Sequence, residues 1–160
     1  TLSMYAQTNE AFARAYWHWF FLIRPAPLPE TLIEADPGAY LRSVMGSRSA
    51  GLKPFTHEAF GEYLRCLKLP GAARGICEDY RASASIDLEH DRADIQSGRH
   101  LSLPMLVLWG AEGTVGRCFE PLKEWQQVAT DVRGKALPAG HYLAEEVPEV
   151  LLAEAMAFLR

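Results

Sequence analysis

A chain of 160 residues, 49% of it apolar, is long enough to bury the core of one ordinary domain, which excludes a disordered tail as its class. Its net charge of −4, from 16 basic and 20 acidic residues interspersed without blocks, gives no electrostatic footprint for nucleic acid or an anionic membrane. No apolar run approaches the roughly 18 to 20 residues of a membrane span, and the polar start lacks a signal peptide's character, so no membrane partner and a cytoplasmic location are expected.

From about Asn9 to Ile23 the residues Phe12, Tyr16, Trp19 and Phe20 recur at steps of three and four, which predicts one amphipathic helix. The prolines at 25, 27 and 29 then force a turn and an extended run. Short helices follow, with Thr31, Asp36 before Pro37, and Thr56 as candidate caps; the last is followed by a stripe of Phe60, Tyr63, Leu64 and Leu67. Pro70-Gly71 ends that helix, another is expected from about Ala72 to Ala84, and Asp87, Glu89, Asp91 and Asp94 mark an acidic, hydrated surface stretch. The first half is therefore all helix.

The pattern changes at Leu103 to Trp109, an apolar run ending at Gly110 that reads as a strand buried on both faces. A crossover helix from Phe119 to Ala129, with Leu122, Trp125 and Ala129 on one side, leads to a weaker strand from Val132 to Leu137. After the loop Pro138 to His141, Pro148 opens a last helix with Leu151, Ala155, Phe158 and Leu159 on its buried face. Strand, helix, strand, loop, helix is the order of a parallel sheet with right-handed crossovers. Such a strand needs further parallel neighbours, so a second copy of the chain or an N-terminal segment before Thr1 is the expected partner.

The loop Gly140-His141, placed after a strand and before a helix, lies at the carboxyl edge of the sheet, where open α/β folds bind ligands. An imidazole there, neutral near pH 7, can take a proton from water; a surface or helix-capping histidine is the alternative. Tyr16 to Trp19 is dense in rings with polar tips. His18 and Trp19, about 100° apart on a helix, can flank a cavity and offer uncharged N–H donors to a departing anion, although spacing alone favours plain packing. Tyr80 is a possible third donor that spacing does not establish. His57, His90 and His100 lack metal-ligand spacing, so no metal and no cofactor are expected; Cys66, Cys77 and Cys118 read as buried thiols.

Taken together, Tyr16-Trp17-His18-Trp19-Phe20-Phe21-Leu22, Pro25-Ala26-Pro27-Leu28-Pro29-Glu30, Glu78-Asp79-Tyr80-Arg81-Ala82, Asp87-Leu88-Glu89-His90-Asp91, Leu108-Trp109-Gly110, and Gly140-His141 with Glu145-Glu146 strongly resemble the fluoroacetate (haloacetate) dehalogenases of the α/β-hydrolase superfamily. The resemblance implies an α/β fold, here an α/β-hydrolase fragment. Residues 1–95 would form a helical lid (cap), and residues 96–160 the last strands and helices of the parallel sheet. It implies a small haloacid or halide ion as partner, hydrolysis through an aspartyl ester, His141 as the base that activates water, and His18, Trp19 and Tyr80 as halide donors. The nucleophilic aspartate, the triad acid and the arginines for the substrate carboxylate would belong to a segment before Thr1, which itself resembles the threonine of a Pro-Thr pair just after the acid. In many α/β-hydrolases the acid follows the penultimate strand; Gly113 stands there, and Glu112, one position off, reads as solvated. The chain alone is accordingly expected to have no appreciable dehalogenase activity. An epoxide hydrolase or esterase of the same fold, and a noncatalytic module that dimerises through its open strand edge, are the competing readings.

Overall fold

The computed structural model describes residues 2–48 and 50–160; Thr1 lies outside them. The chain divides into two compact units, one of Thr1–Ser47 with Gly51–His90, the other of Arg48–Ala50 with Asp91–Arg160.

The first unit is helical throughout: α1 (Leu2–Ala6), α2 (Glu10–Ala15), α3 (Trp17–Leu22), α4 (Leu28–Ala35), α5 (Pro37–Gly46), α6 (His57–Leu67), α7 (Ala72–Ser83) and the start of α8 (Ile86–Gln96). The single helix expected over 9–23 is broken at Tyr16, whose backbone (φ −117°, ψ 35°) leaves helical geometry. The physical reason is ring packing. Tyr16 stacks on Phe12 with centroids 4.9 Å apart, and the break lets α3 set Trp19 and Phe20 edge-on to Phe12, at 5.7 and 6.4 Å. Asn9 starts α2 by accepting from the Phe12 amide at 2.9 Å.

Asp36 and Thr56 cap α5 and α6 as expected, accepting from Ala39 N at 2.8 Å and Ala59 N at 3.1 Å. Thr31 caps nothing. It lies inside α4, because Pro29 sits in the first turn, where its missing N–H costs no intrahelical bond and its fixed φ suits a helix start. The acidic stretch from Asp87 is helical as α8, which turns Leu88 inward. Cys77 is buried, Cys118 partly so and Cys66 exposed, which corrects the expectation of three buried thiols; Cys66 lies on the solvated side of α6 beside Glu62 and Arg65.

Leu22, Ile33, Leu67, Ala73 and Cys77 form the core of this unit, with Phe21, Tyr40, Ile76 and Tyr80 packed against it. Arg81 ties α7 to α4 by an ion pair with Glu30 (2.6 Å) and to the end of α3 by donating twice to the Arg24 carbonyl (3.0 and 2.7 Å). That pairing holds the Glu30 carboxyl below the usual carboxylate range. Phe12 is fully buried among rings. Truncating it to alanine is expected to lower the stability of the helical unit by about 3–5 kcal/mol, measured by urea unfolding followed through tryptophan fluorescence.

In the second unit β1 (Met105–Gly110) pairs in parallel with β2 (Val132–Leu137), from Met105 opposite Val132 to Gly110 opposite Leu137. A further bridge joins Leu101 to Ala129. β1 is half-buried along most of its length rather than covered on both faces. Among the described residues β2 is its one ladder partner. The crossover helix expected over 119–129 is present but shorter, as α10 (Pro121–Gln126), and a further short helix, α9 (Thr114–Cys118), precedes it. Phe119 is extended and Pro121 restarts the helix. Trp125 is exposed while Ala129 turns in as part of the bridge.

The chain closes with α11 (Leu143–Glu146) and α12 (Pro148–Phe158). Leu151, Ala155 and Phe158 are half-buried, whereas Leu159 falls at the C-cap and is 75% exposed, outside the expected buried face. Gly134 is required where β2 meets β1: a Cβ there would stand 1.8 Å from the Val107 carbonyl oxygen. Among the described residues no helix is long and apolar enough to cross a membrane.

Candidate functional site

Within the helical unit, α3 and α7 bring together the three side chains singled out above. The His18 ring stands edge-on to Tyr80 with centroids 5.9 Å apart, and Trp19 meets the same Tyr80 at 5.8 Å and 83°. His18 is buried, packed also on Tyr16 at 5.5 Å, while Trp19 and Tyr80 are half-buried. Arg81, the neighbour of Tyr80, fixes the register of α7 through Arg24 and Glu30.

Sequence reasoning missed one member of this cluster. Tyr5, on α1, lies 5.4 Å from the Trp19 ring, and its buried hydroxyl has no hydrogen-bond partner among the described residues. Burial, and after it the nearby Tyr80, push its pKa up, so the phenol stays a neutral donor. No periodicity marks Tyr5, since it precedes the amphipathic pattern. The cluster thus gathers an imidazole, an indole and two phenols, all rings with polar tips. Such a set can stabilise an anion that must also leave.

In the second unit His141 sits in the loop that follows β2, at the carboxyl ends of both strands. The turn after β1 is tied to that loop: Ala111 N donates to Leu137 O at 2.8 Å and Glu112 N to Ala139 O at 3.0 Å. Gly110 is what lets them meet, because a Cβ there would lie 1.6 Å from the Gly140 carbonyl oxygen. Glu112 is exposed, in keeping with a solvated role.

The His141 imidazole packs edge-on against Tyr142, with centroids 4.8 Å apart, and keeps a solvent-exposed edge. Its pKa is depressed to about 4, first by the protein atoms that displace water from the ring and next by the Arg48 guanidinium, with Glu146 opposing both. Water at the exposed edge screens part of this effect, so the direction carries the argument: the ring is neutral at physiological pH and able to accept a proton. The Glu146 carboxylate accepts from the amides on either side of His141, Gly140 N at 2.6 Å and Tyr142 N at 2.9 Å. Among the described residues no group of three His, Cys, Asp or Glu side chains is placed to hold a metal ion. His57, His90 and His100 are exposed.

No family model matches the chain. It is 37% identical over 150 residues to a fluoroacetate dehalogenase of Burkholderia sp, covering 93% of this chain and 49% of that protein. To a soluble epoxide hydrolase of Corynebacterium sp. (strain C12) it is 30% identical over 130 residues, 79% of this chain and 43% of the relative. The chain therefore spans about half the length of the curated relatives it matches. Among solved structures, one from Nostoc sp PCC 7120, named for the α/β-hydrolase fold, superposes with a TM-score of 0.91 at 46% identity, over 98% of this chain and 53% of that one. One from Pseudomonas aeruginosa, named for epoxide hydrolase activity, superposes with a TM-score of 0.91 at 35% identity, over 99% and 53%. With a helical cap, a short parallel sheet and a histidine loop at the strand ends, the chain belongs to the α/β-hydrolases and corresponds to the lid and C-terminal part of their fold.

Proposed function

We propose that this chain is the lid and base-bearing part of a hydrolase of the haloacetate dehalogenase type, which removes halide from a small 2-haloacid through an aspartyl ester. In that reaction a carboxylate attacks the α-carbon, the carbon–halogen bond breaks and halide departs. Water then adds to the ester carbonyl, giving up a proton to a base, and the hydroxyacid leaves as the carboxylate is restored. His18, Trp19 and Tyr80, joined by Tyr5, are the neutral donors for the departing halide. His141 is the base for the second step. The nucleophile, the acid that orients the base and the clamp for the substrate carboxylate are not supplied by these 160 residues.

The observation that carries this reading is the meeting of His18 and Trp19, adjacent on α3, on Tyr80 of α7. Epoxide opening calls for donors to an alkoxide oxygen, which phenols alone provide; an added imidazole and indole suit an anion that is released as such. The 37% identity to a fluoroacetate dehalogenase, against 30% to an epoxide hydrolase, points the same way.

Fluoride release, read with a fluoride electrode, tests the proposal. The 160-residue chain is expected to release none from fluoroacetate. The same chain joined to the nucleophile-bearing half of an α/β-hydrolase is expected to turn over fluoroacetate and to leave an epoxide such as styrene oxide untouched. The opposite preference would assign the epoxide hydrolase reading instead, and turnover by the chain alone would refute the division of labour.

A further inference from the structure

The loop between β2 and α11 is held from one side by a single carboxylate. We infer that Glu146 is a positioning residue for His141, a proposal that rests on the base reading above. Oε2 of Glu146 accepts from Gly140 N at 2.6 Å and Oε1 from Tyr142 N at 2.9 Å, so one side chain straddles the histidine between them. Tyr142 is the N-cap of α11, and Glu146, four residues on, reaches back from the last residue of that helix to the cap amide. His141 cannot change its own φ or ψ appreciably without breaking one of the two bonds. Both are charge-assisted and only part-exposed, hence stronger than ordinary amide pairs.

The other constraints on the loop come from different directions. Gly110 meets the Gly140 carbonyl, the Glu112 amide holds the Ala139 carbonyl, and the Tyr142 ring abuts the imidazole. Each of these fixes a neighbour of His141 rather than both of its flanking amides at once. The charged groups that bear on the imidazole are Arg48 and Glu146, of opposite sign. Glu146 therefore does two things with one carboxylate: it holds the loop, and it offsets part of the Arg48 field at the base. Glu145, one residue away with the same charge, has neither of these two amides and serves as the control.

Amide hydrogen exchange on the full chain tests the clamp. Glu146→Ala is expected to make the Gly140 and Tyr142 amides exchange about tenfold faster or more, with the amides of Val132 to Leu137 keeping their protection. Glu146→Gln, with one carbonyl acceptor in place of two oxygens, should keep one amide protected and release the other. Glu145→Gln should leave both at the wild-type rate. Unchanged exchange in Glu146→Ala, or an equal effect of Glu145→Gln, overturns the proposal; if Glu146→Ala unfolds the β2 amides as well, the Glu146→Gln pattern decides it.

In the hydrolase completed as above, positioning also predicts a split. Glu146→Ala should lower kcat about 10- to 100-fold and lower KM for fluoroacetate along with it, leaving kcat/KM nearly unchanged, because the base acts after the ester has formed, and Glu146→Gln should recover part of the loss. A purely structural role would instead reduce the folded fraction and leave kcat per folded molecule intact. Should the completed wild type release no fluoride, the dehalogenase reading fails while the exchange data still decide the clamp.

Discussion

Replacing His141 with asparagine in the completed hydrolase is expected to lower steady-state fluoride release by about four orders of magnitude after an initial stoichiometric burst, with accumulation of the ester intermediate. Asparagine keeps the loop's size and its backbone bonds to Glu146, so the loss isolates proton transfer from water. Because the imidazole pKa is depressed to about 4, the base stays neutral far below the usual histidine range. In the 160-residue chain the imidazole should accordingly stay neutral as pH falls through 6.5 and take up its proton only as the depressed value is approached. The His141 ring resonances followed by NMR from pH 8 to 4.5 check this. An inflection near 6.5 would mean that the ring is an ordinary, fully hydrated histidine.

The same shift has a consequence for stability, and its sign is opposite to that of a histidine gaining an anionic partner. Between about 4 and 6.5 the unfolded chain binds a proton at His141 that the folded chain does not. This residue therefore costs the fold nothing above 6.5 and destabilises it increasingly as pH falls through that window. The His141→Asn variant should lose that part of the acid sensitivity, seen as a shallower fall of the thermal midpoint between pH 6.5 and 4.5.

Gly110→Ala is expected to produce the other large effect, a loss of about 3 kcal/mol or more from the second unit, or displacement of the base loop. The added methyl would meet the Gly140 carbonyl oxygen at 1.6 Å and that of Ala139 at 2.5 Å. Neither neighbour is the free end of a flexible side chain. The Gly140 backbone is anchored by Glu146 and that of Ala139 by Glu112 N, while Gly110 closes the ladder opposite Leu137. Urea unfolding gives the energy, and the amide resonances of Gly140 and Tyr142 report any movement of the loop. Wild-type stability with unshifted loop resonances would show that strand and loop do not approach as closely as described.

The elements most legible in the sequence were those with local causes. Val132 to Leu137 forms a strand with the expected bounds, Asp36 and Thr56 cap the helices that follow them, and Pro148 opens the last helix. The errors arose where packing overrode pattern. A period of three and four ran through Tyr16 without showing that Trp19 and Phe20 fold back onto Phe12, which needs a break there. Thr31 had the chemistry of a cap, but Pro29 had already started the helix. In the site, Tyr16 to Trp19 was legible as a dense set of polar-tipped rings, and His141 by its place between strand and helix.

Tyr5 and Glu146 were not legible as parts of the site. Tyr5 reaches Trp19 from a separate helix, and the two amides held by Glu146 can be assigned to it only when the loop is folded back on α11. Local chemistry along the chain was enough to single out His141 and the ring-dense stretch holding His18 and Trp19, whereas Tyr80 and the α/β-hydrolase assignment came from the resemblance of whole motifs to a family. Which rings touch was decided by contacts between distant segments, such as the 57 residues that separate Arg81 from the Arg24 carbonyl it grips, and which carboxylate holds the amides flanking His141 was decided by the fold of the loop. Periodicity and propensity act over one or two helical turns, whereas ring stacking and buried ion pairs depend on where whole elements come to rest.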